Sequence, residues 1–210
     1  MNKVRKNLDS IFDYKDGFFL EVGANDGVSW SNTINLERNL NWIGILIEPD
    51  FNQYIKCLKN RPNSVVVNAA LVSKEFSKKN DQILFPKKGT LMTKTYEKNI
   101  FNLLRLFFKK LIYVNCISLG SLLSNLDITK IDLFSLDVEG NELEVLKSIN
   151  FNDVNIKYIC IEVWDNDKEK IFTFLKKKNY VLTKDLSEFN KKDYLNWSGG
   201  HNDYLFKKSM

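Results

Sequence analysis

Short apolar runs alternate along most of this chain with longer segments of helical period. The apolar runs have the length of buried strands and are bounded by turn residues, and they lie at 18–22, 42–47, 64–70, 131–136, 157–163, 180–183 and 201–207. Segments with helical spacing follow most of them, at 31–40, 52–59, 142–148 and 168–178. Uninterrupted apolar strands between helices predict an α/β fold, with a mostly parallel sheet covered by helices on both faces.

The last two predicted strands differ from the others because no helix of useful length separates them. The segment between them, 186–200, is polar and contains a Gly-Gly pair. Parallel strands need a crossover connection, whereas antiparallel strands do not. We therefore expect the last strand to run antiparallel to its neighbour.

A long segment at 74–113 interrupts the alternation. It contains a polar stretch, KEFSKKNDQ, and then an apolar and basic run, IFNLLRLFFKKL, at 100–111. Three interpretations of this run stay open: a lid or substrate-binding insert over an active site, a helix on a membrane surface, and a helix packed on the core. After it, 114–117 is a candidate short strand and 118–126 a candidate helix.

Composition is that of an ordinary globular protein, and 210 residues are most simply one domain, 1–210. No apolar run approaches the roughly 20 residues that span a bilayer. The N-terminal stretch MNKVRKNLDSIFDYKDG has no uninterrupted apolar core of the signal-peptide type. The three cysteines are widely spaced and form no C-x-x-C pair, which is typical of buried thiols in a reducing compartment. We expect a cytoplasmic protein.

The net charge of +5 comes mostly from lysines scattered along the chain, and arginine is scarce. Nucleic-acid recognition favours clustered basic residues and the forked guanidinium of arginine. The lysines therefore indicate a solvated surface, and no nucleic-acid partner is expected.

The loop after the first strand, EVGANDG at 21–27, is a candidate cofactor loop. In an open parallel sheet, ligands bind beyond the carboxyl ends of the strands. Gly23 permits a tight turn and Gly27 a close backbone approach, while Ser31 or Asn32 can cap the following helix. Glu48, at the end of the second strand, is placed to accept hydrogen bonds from both hydroxyls of a ribose.

Two kinds of cofactor suit such a loop, a dinucleotide and S-adenosylmethionine. The loop reads E-x-G-x-x-x-G and lacks the G-x-G-x-x-G spacing that holds a pyrophosphate. Glu21 and Asp26 would repel a diphosphate, whereas Glu21 suits the ammonium of a methionine group. The chain also leaves no room for the separate substrate domain that many dehydrogenases carry. These features favour S-adenosylmethionine.

Four blocks of the chain resemble the FkbM family of S-adenosylmethionine-dependent methyltransferases. They are FLEVGANDGVSWSNTINLE, NWIGILIEPD, VVNAALVS and IDLFSLDVEGNELEVLKSI. The resemblance extends roughly over residues 17 to 206 and is weak only in the insert before Tyr113. It implies a Rossmann-like class I methyltransferase fold, whose seven-stranded sheet is mostly parallel with an antiparallel last strand.

The resemblance also implies a set of cofactor-binding residues and an activity. Glu48 would hold the ribose, Asn68 and Ala69 would border the adenine, and Asp137 would face the methionine side. The other predicted cofactor residues follow the first strand, and they are Glu21, Gly23, Asn25, Asp26, Gly27 and Asn32. The implied activity is O-methylation of a hydroxyl on a sugar, a glycan or another small molecule.

Transfer to a hydroxyl requires a general base, a metal ion or both, because the hydroxyl must lose its proton. His201 is the only histidine, and it follows a Gly-Gly pair directly before the last strand. It is a candidate base, although a lone histidine is often structural. Asp137 and Glu139 are further candidates, one facing the cofactor and one the substrate; the alternative is that they cap the next helix.

A metal site is a separate hypothesis. Asp137, together with Asp165 and Asn166 after the fifth strand, offers the oxygen ligands that Mg²⁺ prefers. Asp165 and Asn166 could equally form the N-cap of a helix.

Two other functions compete with small-molecule methylation. A methyltransferase acting on protein or nucleic acid would need a motif such as D/N-P-P-Y, and the sequence contains none. A non-catalytic cofactor-binding module is the second competitor. The intact set of Glu21, Gly23, Glu48 and Asp137 argues against it.

Overall fold

The structure is a computed structural model, and it describes residues 3–86, 111–187 and 200–209. The helices of this part are α1 (Lys3–Asp9), α2 (Ile34–Leu40), α3 (Phe51–Asn60), α4 (Lys74–Ser77), α5 (Leu119–Asn125), α6 (Glu142–Lys147) and α7 (Lys168–Lys177). Its strands are β1 (Phe18–Val22), β2 (Ile43–Ile47), β3 (Val65–Val67), β4 (Ala70–Leu71), β5 (Gln82–Pro86), β6 (Leu111–Ile117), β7 (Lys130–Leu136), β8 (Asn155–Trp164), β9 (Tyr180–Asp185) and β10 (His201–Lys208).

The main sheet has seven strands in the order β3-β2-β1-β7-β8-β10-β9. Strand β10 pairs antiparallel with both β8 and β9, and the other pairs are parallel. The predicted fold, including the antiparallel last strand, is confirmed. The strand order reverses at β1, which lies between β2 and β7, and this places the ligand-binding crevice at their carboxyl ends.

Both faces of the sheet are buried, as the apolar strands predict. Phe19 and Leu20 are both fully buried, yet they belong to different core clusters. Successive side chains of a strand point to opposite faces, so each cluster lies under its own layer of helices. Among the described residues, none of the helices is long and apolar enough to span a membrane.

The predicted strand at 64–70 is in fact two strands in two sheets. Strand β3 stays at the edge of the main sheet, whereas β4 pairs in parallel with β6. Strand β5 completes a second sheet of order β4-β6-β5. The sequence pattern missed β5 because it follows a polar stretch and has only a short apolar segment.

The second sheet accounts for part of the predicted insert at 74–113. Its own small core contains Ala70, Val72, Ile83 and Val114. The candidate strand at 114–117 is confirmed and begins earlier, at Leu111. The apolar and basic run at 100–111 lies almost entirely outside the described residues, so its three interpretations stay predictions.

Candidate active site

A cavity of about 610 Å³ opens at the carboxyl ends of the central strands. This volume is within the roughly 300–1,000 Å³ that is usual for small-molecule sites. The cavity is lined by residues that follow β1, β2 and β7, by the ends of β8 and β10, and by β5 of the second sheet. It is therefore built at the position where the fold places a ligand.

The glycine loop after β1 turns directly against β7. Gly23 has φ of 84°, and its N–H donates to the carbonyl oxygen of Ile47 at 3.0 Å. A Cβ at this position would overlap the carbonyl oxygen of Asp137. Gly23 lines the cavity, and the close approach of two strand ends requires the absence of a side chain there.

Gly27 also requires the absence of a side chain, but for a different reason from the predicted one. It has φ of 77°, and a Cβ there would lie 2.8 Å from both Cys57 Sγ and Arg61 Cγ. Gly27 is not part of the cavity lining. The structure therefore places this glycine against the end of α3.

Glu21 is buried behind the loop, with 3% of its surface exposed. One carboxylate oxygen accepts the N–H of Asn32 at 2.6 Å. The other accepts the hydroxyls of Ser31 at 2.8 Å and Thr33 at 2.6 Å. Residues 31–33 thus bind the Glu21 carboxylate instead of forming the first turn of the helix, which explains why α2 begins at Ile34 rather than at 31. Glu21 is absent from the described cavity lining. Its carboxylate is bound by Ser31, Asn32 and Thr33, whereas the sequence predicted that it would bind the ammonium of a ligand.

Arg61 completes this support and was not anticipated from the sequence. Its guanidinium is fully buried and pairs with Glu37 at 2.7 Å, and it lies 3.5 Å from Glu21. It also donates to the carbonyl oxygen of Gly27 and to the hydroxyls of Ser31 and Thr33. A single arginine after a helix carries no sequence signal of burial.

Asp26 stabilises the turn of the same loop. Its carboxylate accepts the N–H groups of Val28 and Ser29 and the Ser29 hydroxyl. Burial alone would raise the pKa of Asp26, but these hydrogen bonds outweigh it and the pKa is lowered. Asp26 is not in the cavity lining, whereas Asn25 and Asn32 are.

Glu48 joins the ends of β1 and β2 at the cavity wall. Its two oxygens accept the N–H groups of Asn25 at 2.7 Å and Asp50 at 2.8 Å. Burial raises its pKa to about 7, although both hydrogen bonds act to lower it. A carboxylate offers about four acceptor positions, so further hydrogen bonds to a ligand are available.

The predicted adenine-flanking pair is divided. Ala69 lines the cavity, whereas Asn68 does not. The Asn68 side chain donates to the carbonyl oxygens of Glu48 at 2.8 Å and Pro49 at 3.1 Å. Asn68 thus supports the loop that carries Glu48.

Carboxylates gather at the end of β7. Ligand oxygens of Asp137, Glu142 and Glu162 lie within 4.8 Å of one another. Oδ1 of Asp137 is buried and has no hydrogen-bond partner among the described residues. Burial, followed by the charges of Glu162 and Glu139, raises the pKa of Asp137 well above its usual value.

Asp137 and Glu139 both line the same cavity. Glu139 has φ of 58°, an uncommon value for a side chain of this kind. Burial raises its pKa to about 7. The N–H groups of Val138 and Gly140 donate to Glu142, so Glu142 satisfies the backbone of this turn.

Of the predicted metal-binding set, the described cavity lining contains only one residue. Asp137 lines the cavity, but Asp165 and Asn166 are absent from the described lining. The Asp165 N–H donates to the carbonyl oxygen of Gly200, and its own carbonyl accepts from Lys168 in the turn before α7. The Mg²⁺ site therefore stays a prediction from the sequence.

Strands β8 and β10 bring four polar or aromatic side chains of the cavity wall to one face. Trp164 is paired with His201, and Glu162 with Asp203. Glu162 Oε2 accepts the indole N–H of Trp164 at 3.2 Å, and Glu162 Oε1 lies 3.6 Å from His201 Nε2. The rings of Trp164 and His201 are 5.0 Å apart. All four residues line the cavity.

The ionisable side chains among these four residues have shifted pKa values. Burial, with Glu139 and Asp203 nearby, raises the pKa of Glu162 to about 8. Burial also raises the pKa of Asp203 to about 7 and lowers that of His201. The sequence analysis singled out His201 but missed Glu162 and Asp203. The only sequence feature that marks these two residues is that each is the single acid of its predicted strand.

Solved structures share this fold. TrmK of M. capricolum, in complex with S-adenosyl-homocysteine, has a TM-score of 0.54 at 12% identity and matches 98% of this chain and 68% of its own. Precorrin-6y C5,15-methyltransferase of Geobacter metallireducens GS-15 has a TM-score of 0.50 at 14% identity, and the match covers 98% of this chain and 89% of the other. A putative RNA methyltransferase of Pyrococcus horikoshii has a TM-score of 0.50 at 11% identity, and the match covers 99% of this chain and 82% of the other.

The sheet order and these neighbours define a protein with the class I methyltransferase fold. A family model described as "Methyltransferase FkbM domain" matches residues 21–182 of this chain. The chain therefore belongs to the FkbM family of methyltransferases, as the sequence resemblance indicates. No match is found among curated proteins.

Proposed function

We propose that this chain is an S-adenosylmethionine-dependent O-methyltransferase that acts on a hydroxyl of a sugar, a glycan or another small molecule. The observation that carries the proposal is the charge of the cavity. Six carboxylates line it within the described residues, and no lysine or arginine does; the six are Glu48, Asp50, Asp137, Glu139, Glu162 and Asp203. Such a wall attracts the sulfonium and ammonium of a methyl donor and repels a diphosphate.

The described residues suit the parts of this donor. Glu48 would accept the ribose hydroxyls with its remaining acceptor positions. Ala69 would border the adenine. The buried Oδ1 atoms of Asn32 and Asp137, which have no hydrogen-bond partner within the described ranges, would accept the ammonium. The binding of S-adenosyl-homocysteine by the TrmK neighbour supports the same choice of cofactor.

The same charge argument favours a small acceptor over nucleic acid. Nucleic-acid sites use basic residues against phosphates. One structural neighbour is described as a putative RNA methyltransferase. The acidic lining of this cavity is unsuited to a phosphate backbone, and its volume fits a small molecule beside the cofactor.

The chemical step is an in-line displacement. The cofactor supplies an electrophilic methyl group on a positively charged sulfur. The acceptor oxygen forms a bond to the methyl carbon, the carbon–sulfur bond breaks with its electrons going to sulfur, and the hydroxyl proton leaves to a base. His201 lines the cavity and would take that proton.

Labelled methyl transfer tests the proposal. Purified protein with S-adenosylmethionine is assayed on a panel of deoxysugars and neutral glycosides, with an RNA and a protein extract as parallel acceptors. Label on a sugar hydroxyl is the expected result. Label only on RNA or protein contradicts the acceptor class, and cofactor binding without any transfer supports the non-catalytic alternative.

A divalent metal such as Mg²⁺ is a separate prediction from the sequence, and the same assay tests it. Loss of transfer in EDTA, restored by added Mg²⁺, is the result that prediction requires. Full activity in EDTA contradicts it.

A further inference from the structure

We propose that the proton acceptor of this site is a pair, His201 together with Glu162, rather than the histidine alone. The inference rests on the proposed O-methyl transfer. In the step, the acceptor O–H bond breaks and its proton passes to His201 Nε2, while the charge of the resulting imidazolium is balanced by Glu162. Glu162 is thus a further residue of the reaction that the sequence did not reveal.

Strand register brings the two side chains together. Because Trp164 pairs with His201 and Glu162 with Asp203, all four side chains lie on one face of the antiparallel pair. Glu162 and His201 are diagonal neighbours across the two strands, and Glu162 Oε1 is 3.6 Å from His201 Nε2. That separation allows an ion pair once the imidazole is protonated, and both residues line the cavity.

Trp164 fixes which oxygen of Glu162 faces the histidine. Its indole N–H donates to Oε2 at 3.2 Å, so Oε1 is the oxygen directed towards His201. The Trp164 ring also packs against the imidazole ring. One tryptophan therefore orients both members of the pair.

A purely structural role for Glu162 explains the arrangement poorly. Glu162 is directly opposite Asp203, and like charges at such a cross-strand position are destabilising. Glu139 and Glu142 add further negative charge around it, and Glu162 in turn acts on Asp137. Groups that break a stability rule inside a cavity wall are expected at functional sites.

Nuclear magnetic resonance of the sole histidine tests the pairing without an acceptor. In untagged protein the imidazole signals report only His201. We expect a two-step titration in the wild type, because coupled groups titrate as a pair, and a single step in Glu162→Gln. Glu144→Gln is the control, because Glu144 is an exposed partner of Lys147. A titration that is unchanged in Glu162→Gln would overturn the pairing.

Kinetics test the role in catalysis. With a sugar that the wild type methylates, Glu162→Gln should lower kcat at least about tenfold, within the range of a general base. Its KM for S-adenosylmethionine and its affinity for S-adenosylhomocysteine should stay within about twofold of the wild type. Trp164→Phe, which keeps the carboxylate, should lose less activity than Glu162→Gln. A loss confined to cofactor affinity would instead assign Glu162 to the donor site and overturn the proposal. If no acceptor is methylated, the proposed function fails, while the titration still decides the pairing.

Discussion

At the scale of single residues, the glycine loop combines two tasks that its sequence does not separate. Gly23 and Asn25 line the cavity, whereas Glu21, Asp26 and Gly27 hold the loop in shape. Sequence spacing identified the loop but could not show which way each side chain points. That direction depends on Arg61, which comes from a different helix and has no motif of its own.

Replacing Arg61 tests this support. Arg61→Leu leaves the carboxylates of Glu21 and Glu37 buried without their cation. We expect a loss of about 3–5 kcal/mol in the free energy of unfolding, as for a broken buried ion pair. Denaturant unfolding measures it. Lys147→Leu, which breaks an exposed pair with Glu144, should cost less than about 1 kcal/mol; equal losses would contradict the burial argument.

Gly23→Ala tests the close approach at the end of β1. The added Cβ would overlap the Asp137 carbonyl oxygen, so we expect cofactor affinity to fall more than tenfold and the protein to be destabilised. Gly140→Ala is a matched control, because Gly140 has φ of 100° but open space around a Cβ. Calorimetry with S-adenosylhomocysteine compares the two. Similar affinities in both variants would mean that backbone strain, and not the clash, is what matters.

At the scale of elements, the main sheet was predictable, and its additions were predictable only in part, through strand β6 and helix α5. The apolar runs identify all seven strands of the main sheet. The signal is clearest for the central strands, such as β1 and β7, which are buried on both faces, whereas the edge strands β3 and β9 are more exposed. Strand β5 and helix α1 were missed, since a short edge strand and a mixed polar helix have weak periodicity. Glu162 and Asp203 were hidden for the opposite reason: they are single acids inside strongly apolar strands.

Helix α1 supports the cofactor loop from the outside. Arg5 donates to the carbonyl oxygens of Ser31 at 2.6 Å and Val28 at 2.7 Å, and Val4 lines the cavity. We expect Arg5→Ala to weaken S-adenosylhomocysteine binding about three- to tenfold, because the loop loses charge-assisted hydrogen bonds. Titration calorimetry measures this. Lys6→Ala, on an exposed position of α1, should bind like the wild type; equal weakening in both would count against the loop contact.

At the scale of the whole molecule, charge is unevenly distributed. The chain has a net charge of +5, yet the described lining of its cavity carries six carboxylates. Burial raises the pKa values of Glu48, Glu139 and Asp203 to about 7 and that of Glu162 to about 8. These carboxyl groups are therefore partly protonated near neutral pH. Since these folded-state values exceed the unfolded values of about 4, the folded state loses stability progressively as pH rises from about 4 to about 8.

Cofactor binding should release some of these protons. The two positive charges of S-adenosylmethionine favour ionised carboxylates and lower their pKa values. At pH 7 we expect net proton release, measured as a binding enthalpy that changes with the ionisation enthalpy of the buffer. S-adenosylhomocysteine lacks the sulfonium charge and should release fewer protons. Equal release for both ligands, or proton uptake, would contradict the electrostatic account of the cavity.

The central claim is that this cavity binds a methyl donor, and titration calorimetry with S-adenosylmethionine tests it most directly. We predict saturable binding at one site per chain and a sharp loss of affinity in Glu48→Ala, because Glu48 is the residue proposed to accept the ribose hydroxyls. Glu144→Ala, on the exposed face of α6, should bind as the wild type does. Absence of binding to the wild-type protein at millimolar cofactor would contradict the account.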